Sequence, residues 1–145
     1  MGLSRDGLSL LLFLVLAWCL APPARCQGPR YEKFLRQHHD HPRTNAGRDY
    51  CRARMQHRGM ARPCKDINTF IHAPKAQIHA VCGSAGIEYW GRRRSQAQFP
   101  VTSCSLKGPP WGRCNYLGHA NHRFLVVTCD PAGWPVQFDE SHIMR

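Results

Sequence analysis

Cys64-Lys65-Asp66-Ile67-Asn68-Thr69-Phe70-Ile71-His72 sets a lysine beside a cysteine at the head of a β-branched and aromatic run. Thr69 and Ile71 are β-branched and Phe70 is aromatic, so the run predicts a short strand whose odd and even residues face opposite ways. Lys65 then stands at the mouth of that strand, held by whatever Cys64 is bonded to. Taken alone, the stretch favours a plainer reading, an exposed lysine next to a structural disulfide. A second group of chemically capable residues is His38-His39-Asp40-His41. Its residue types are those of metal ligands, but three imidazoles at this spacing cannot converge from one helix, and no metal site is expected. The third is Tyr89-Trp90-Gly91-Arg92-Arg93-Arg94. Two aromatics followed by three arginines on an expected loop suit a glycan, a phosphate or an anionic membrane, and compete with the reading of a solvated basic tip.

The elements that must position these residues are legible in outline. Tyr31, Phe34, Leu35 and His38 recur at helical spacing, which puts His38 on the buried stripe of a helix that Asp40, His41 and Pro42 terminate. A second helix is predicted over 49–58, with Cys51 and Met55 inward, Arg52, Arg54, His57 and Arg58 outward, and Gly59 as its stop. A third is predicted over 74–82, with proline in its first turn, Ile78, Val81 and Cys82 inward, and Gly83 just past its end. Thereafter the chain reads as strands over 99–106, 115–118, 123–129 and 135–139, with 108–110, 119–122 and 130–133 as turns. Helices first and antiparallel strands afterwards predict an α+β domain.

Met1 to Asp6 carries Arg5, Leu8 to Ala21 is nearly all apolar, and Ala24-Arg25-Cys26 has the small residues that a signal peptidase reads. Residues 1–26 are therefore expected to be a signal peptide, too short in its apolar run for the roughly 20 residues of a membrane span. Residues 27–145 are expected to form one secreted, extracellular domain. Of the eight cysteines, six lie beyond the leader: Cys51, Cys64, Cys82, Cys104, Cys114 and Cys129. An even number, wide spacing and an oxidising compartment predict three disulfides, with the pairing left open. The whole chain has 20 Lys+Arg against 9 Asp+Glu. Such a surface seeks polyanions, among them RNA, heparan-type glycans and anionic membranes.

With these parts in view, the chain resembles the pancreatic ribonuclease (ribonuclease A) superfamily, and within it the angiogenin-like branch. The resemblance rests on Cys64-Lys65-x-x-Asn68-Thr69-Phe70, on Phe34-Leu35-Arg36-Gln37-His38, on six cysteines in order, and on Pro135-Val136-x-Phe138-Asp139. It implies three helices packed on a V-shaped antiparallel sheet, RNA in the cleft, no cofactor, and a monomer. It also implies the pairs Cys51 with Cys104, Cys64 with Cys114, and Cys82 with Cys129. By the same resemblance His38 matches the general base, Lys65 the cation that steadies the reacting phosphate, Gln37 a phosphate-binding amide, Thr69 the reader of a pyrimidine edge, and Asn68 a structural neighbour.

The sequence departs from that pattern at Gln137, where the family has its second histidine. An amide has no titratable proton near neutral pH and cannot act as a general acid. Asp139, which orients that histidine in the family, is left without an imidazole. Phosphate and RNA are expected to be held by Lys65, His38, Gln37, Gln137 and Asp139, with cleavage very weak or lost. Glu140 stands where the branch has an amide that obstructs the pyrimidine site, and whether its carboxylate repels phosphate or pairs with a cation is left open. His142 is a candidate stand-in for the missing acid, while His119 and His122 are expected in a turn. The basic nuclear-targeting stretch of the branch is diluted to Met55-Gln56-His57-Arg58-Gly59. Two other readings compete: a weakly active, pyrimidine-preferring endoribonuclease, and a membrane-active host-defence protein working through Tyr89, Trp90 and the surface arginines Arg92, Arg93 and Arg94. A cell-surface receptor is a further expected kind of partner.

Overall fold

The computed structural model describes residues 28–142, so the expected leader lies outside the described residues. Helix α1, Pro29–His38, opens on a proline, whose fixed φ and missing N–H suit a first turn. Glu32 sits in its first turn and Arg36 in its last, the charge order that the helix dipole favours. Tyr31, Phe34 and His38 are buried, as their spacing predicts. Helix α2, Tyr50–His57, is entered through a 3-10 turn, Gly47–Asp49, and ends just before Gly59, whose φ of +77° is the left-handed conformation of a helix stop. Helix α3, Lys75–His79, tightens into a 3-10 turn over Ala80–Cys82, so the expected helix over 74–82 is present in two pieces.

Five antiparallel strands form one sheet: β1, Ile67–Ile71; β2, Gly86–Tyr89; β3, Arg92–Lys107; β4, Asn115–Cys129; and β5, Pro135–Phe138. Their order is β1-β3-β4-β5, with β2 beside β3. The β3–β4 hairpin is the spine, and a register shift between Arg94 and Gln98 lets one long strand serve two neighbours, β2 at its start and β1 at its end.

Three expectations are corrected here. Residues 119–122 are not a turn: they pair in register with β3, His119 opposite Ser103 and His122 opposite Pro100. They read as a turn because Gly118 through His122 are exposed, so no alternation marks the strand that backbone bonds maintain. Arg92, Arg93 and Arg94 are not on a loop but open β3, and the turn is confined to Trp90 and Gly91, both with positive φ. Arg54 and Arg58 do not face outward: their guanidiniums lie 3.7 Å from the buried carboxylate of Asp40, which also accepts bonds from Tyr50 and Thr44.

Two apolar cores flank β1. Ile71 joins Tyr31, Phe34, Ile78 and Leu125 on one side, and Phe70 joins Tyr50, Met55 and Met60 on the other. The predicted alternation of the strand is thus realised with both faces covered. The disulfides are Cys51–Cys104, Cys64–Cys114 and Cys82–Cys129, the pairs that the resemblance implies. They close loops of 53, 50 and 47 residues, and each is typically worth about 2–4 kcal/mol.

Candidate active site

The cleft between α1, β1 and β5 has a volume of about 430 Å³ and is lined by Gln37, His38, Lys65, Gln137 and Asp139, together with Arg30, Lys33 and Arg92. Six of the residues singled out in the sequence, Arg92 among them, and more than 100 positions apart at their extremes, therefore meet in one place. Thr69 does not line it, for a reason given below.

His38 ends α1, and its ring lies 5.2 Å from Phe34 and 5.1 Å from Phe138, centroid to centroid. Its Nδ1 is 2.8 Å from the carbonyl of Thr69 and so carries the proton it donates there. That fixes the neutral tautomer and leaves Nε2 with a lone pair. Burial pushes the imidazole's pKa well below its ordinary value; the Thr69 carbonyl opposes this shift and the Lys65 charge adds to it. The ring is consequently an uncharged proton acceptor at neutral pH.

Lys65 is held through its backbone as well as its side chain. Its N–H donates to Met60 at 3.0 Å, its carbonyl accepts from the Tyr116 hydroxyl at 2.7 Å, and the Cys64–Cys114 bridge anchors the preceding residue. Its Nζ donates to Asn68 Oδ1 at 2.8 Å, and Asn68 Nδ2 donates to the carbonyl of Gln37 at 2.8 Å. Asn68 is fully buried, so this chain of bonds ties α1, β1 and the ammonium into one unit. Burial lowers the pKa of Lys65, Glu140 offsets this, and Lys33 and Arg36 add to it.

The opposite wall is different. Gln137 lies on β5 opposite Thr128, exposed to the cleft, and its side-chain amide makes no hydrogen bond with the described residues. Asp139 accepts from Arg92 Nη1 at 2.7 Å and, through its other oxygen, from the N–H and hydroxyl of Ser141. The carboxylate without an imidazole has an arginine instead.

The carboxylate of Glu140 is engaged by Thr69. After β5 the chain turns through a 3-10 helix, Glu140–His142, and brings Glu140 back over β1. Its Oε1 accepts the Thr69 N–H at 2.9 Å and its Oε2 accepts the Thr69 hydroxyl at 2.7 Å. Glu140 Oε1 also lies 4.0 Å from His38 Nδ1. Thr69 is wholly buried, with both donors committed to this one side chain. Burial raises the carboxyl's pKa, while the Thr69 bonds and Lys65 pull it back.

Other singled-out residues lie apart from this cleft. His39 bonds the Ala73 carbonyl and Asp40 sits among Arg54, Arg58, Tyr50 and Thr44, so these two residues of the histidine-rich run serve structure. Arg93 binds the carbonyls of Gly83 and Gly86 at 2.7 and 2.9 Å, and Arg94 lies 4.2 Å over the Phe124 ring. Of the surface arginines only Arg92 reaches the cleft. Sequence reasoning passed over Arg30 and Lys33, although their spacing from Gln37, seven and four residues, marks one helical face. Arg92 gives no such signal, since only the folded sheet brings it to Asp139.

The fold and its disulfide pattern define a ribonuclease A-like α+β protein. The pancreatic ribonuclease family matches residues 29–139, and the chain belongs to that family. It is 43% identical to Angiogenin-4 of Mus musculus over 92% of this chain and 94% of that one. Angiogenin of Saimiri sciureus is 46% identical, over 91% and 92%. Green turtle egg white ribonuclease, a solved structure, superposes with a TM-score of 0.74 at 45% identity, covering 78% of this chain and 98% of its own.

Proposed function

We propose that this is a secreted, cationic, angiogenin-like protein that binds RNA in the cleft and cleaves it very weakly or not at all. The observation that carries the reading is the exposed amide of Gln137 on β5, facing the His38–Lys65 wall across a cleft lined by Arg30, Lys33, Lys65 and Arg92. In transphosphorylation, a base takes the 2′-hydroxyl proton, the oxygen attacks phosphorus, a cation steadies the crowded phosphoryl oxygens, and an acid protonates the departing 5′-oxygen. His38 Nε2 is the proton acceptor and Lys65 the cation. Gln137 can donate a hydrogen bond to the leaving oxygen but has no proton to transfer near neutral pH. Losing such an acid typically costs about 10² to 10⁴ in rate.

Glu140 adds a second restraint. A base can reach the Thr69 edge only if the carboxylate gives up two charge-assisted bonds, so discrimination between bases is expected to be poor. Binding is then carried by phosphate contacts, which predicts an affinity that falls steeply with salt and little sequence preference. Heparan-type glycans are secondary polyanionic partners by the same charge.

The test is cleavage of a fluorogenic pyrimidine-containing RNA by the wild type and by Gln137→His and His38→Ala variants. A silent wild type, with activity gained in Gln137→His, is the expected result. Cleavage by the wild type that His38→Ala removes would overturn the reading and make His142 the first donor to examine.

A further inference from the structure

The outer edge of β4 is covered along only part of its length. β5 pairs with it through Val127 and Thr128, and the Asp139 N–H donates to the Val126 carbonyl at 2.9 Å. Earlier in the strand, over Asn115–His122, β4 runs beside β3 alone and without a register shift.

The way each backbone group points on this stretch follows from β3. The Leu106 N–H donates to Asp66 at 2.8 Å and the Pro100 carbonyl accepts from His72 at 2.9 Å, so the even-numbered residues of β3 turn toward β1. Their opposites in β4, Tyr116, Gly118, Ala120 and His122, therefore turn their N–H and carbonyl groups outward. The His122 N–H is taken by the Asn121 side chain at 2.8 Å, while the groups of the other three have no partner among the described residues. A row of unpaired donors and acceptors is a template for another strand, and native edges are usually blocked by a charged side chain, a proline or a bulge. Asn115–His122 has none of the three. Every residue of it except Tyr116 is exposed, so the fold does not cover the edge in some other way.

We propose that this edge is a docking site for an extended acidic segment of another protein, which adds to the sheet as a strand beside β4. Charge selects that occupant. No acidic residue occurs between Glu88 and Asp130, and Lys107, Arg113 and Arg123 flank the uncharged strip. A second copy of the chain would set two such hairpins edge to edge, with basic residues meeting basic residues. An acidic strand would pair with the strip through its main chain and lay its carboxylates near the flanking cations. The site is separate from the cleft, none of whose lining residues belongs to the strip, and it does not rest on the RNA reading.

The probe is a labelled peptide of alternating Glu and Val, as long as the strip, added to protein expressed from the full chain in a secreting host. Kd is read by fluorescence polarisation, and amide hydrogen exchange is followed in parallel. The wild type is expected to bind, with exchange at Gly118 and Ala120 slowed about 10-fold or more at saturation, as pairing of free amides requires. Ala120→Pro deletes an outward N–H that β3 does not use, so Tm is expected to hold while Kd rises about 10-fold or more. The same peptide with its central amides N-methylated keeps its charge but loses the donors for pairing, and is expected to bind as weakly to the wild type. Equal affinity for the methylated peptide would overturn the proposal in favour of charge alone. No binding by the wild type, or unchanged exchange at Gly118 and Ala120, would overturn it whatever the proline variant does. So would dimerisation of the wild type that Ala120→Pro abolishes, since the edge would then belong to a second copy.

Discussion

On one wall of the cleft, His38 is held by the Thr69 carbonyl, Lys65 by Asn68, and Asn68 by the Gln37 carbonyl, with His38, Thr69 and Asn68 buried at the junction of α1 and β1. On the other, the Gln137 side chain stands exposed on β5 with no bond to the described residues, and Asp139 is turned to Arg92 and Ser141. Groups on the first wall are also parts of the core, so replacing them would disturb packing and buried hydrogen bonds together. On the second, Gln137 is exposed on a short strand and Asp139 follows it, and neither belongs to an apolar core. On the proposed reading, the difference teaches how a binding cleft could outlast its chemistry: the groups assigned to phosphate are tied into the core, and the position assigned to the proton donor is not.

The comparison is broken most directly by restoring the second wall. Gln137→His is expected to raise kcat/KM for a pyrimidine-containing RNA by about 10² or more, the usual contribution of a general acid. His38→Ala in that background is expected to abolish the gain. An unchanged rate would mean that the first wall is not competent either, and the contrast between the walls would fail. A smaller effect is expected from Glu140→Ala, which frees the Thr69 N–H and hydroxyl. In the Gln137→His background it should lower KM for pyrimidine substrates about 10-fold, because the substrate no longer displaces two charge-assisted bonds. An equal change for purine-only substrates would show that Glu140 acts through its charge and not by covering Thr69.

How much of this could be read from the chain depends on the range of the interaction concerned. The helix bearing His38 and the two-faced strand of Phe70 and Ile71 are written in local spacing, and the structure has both. The strand over residues 119–122 is not, because its residues are exposed and only cross-strand bonds to β3 define it. The site divides likewise. Gln37, His38, Lys65, Gln137 and Asp139 were singled out beforehand and line one cleft. Glu140's hold on Thr69 and the Arg92–Asp139 pair join residues 71 and 47 positions apart, and no pattern along the chain announces either.

Arg92→Ala sharpens the comparison from the second wall. It removes the Arg92 bond to Asp139 Oδ2, which competes with an imidazole at position 137 for that oxygen. In the Gln137→His background, a further gain of a few-fold in kcat is expected, with KM raised because a phosphate-facing cation is lost. A gain in kcat without Gln137→His would mean that Asp139 acts on some other group.

The smallest effect expected is on stability, and it tests the first wall. His38 is buried neutral, so its folded pKa lies below its unfolded value near 6.5. Below that pH the unfolded chain binds more protons than the folded one, and stability falls with acidification. His39 and His72 are shifted the same way, so the wild type carries several such contributions. His38→Gln removes one of them and keeps a side chain able to donate to the Thr69 carbonyl. Its Tm is expected to be lower than the wild type's at pH 7.5, with a difference that narrows by a few degrees between pH 6.5 and pH 4.5. A constant difference across that range would mean that the imidazole takes up its proton as readily folded as unfolded, and a difference that widened would mean that the fold holds it charged. In the second case His38 would begin as an acid, not as a base, and the first wall would lack the proton acceptor that the contrast assigns to it.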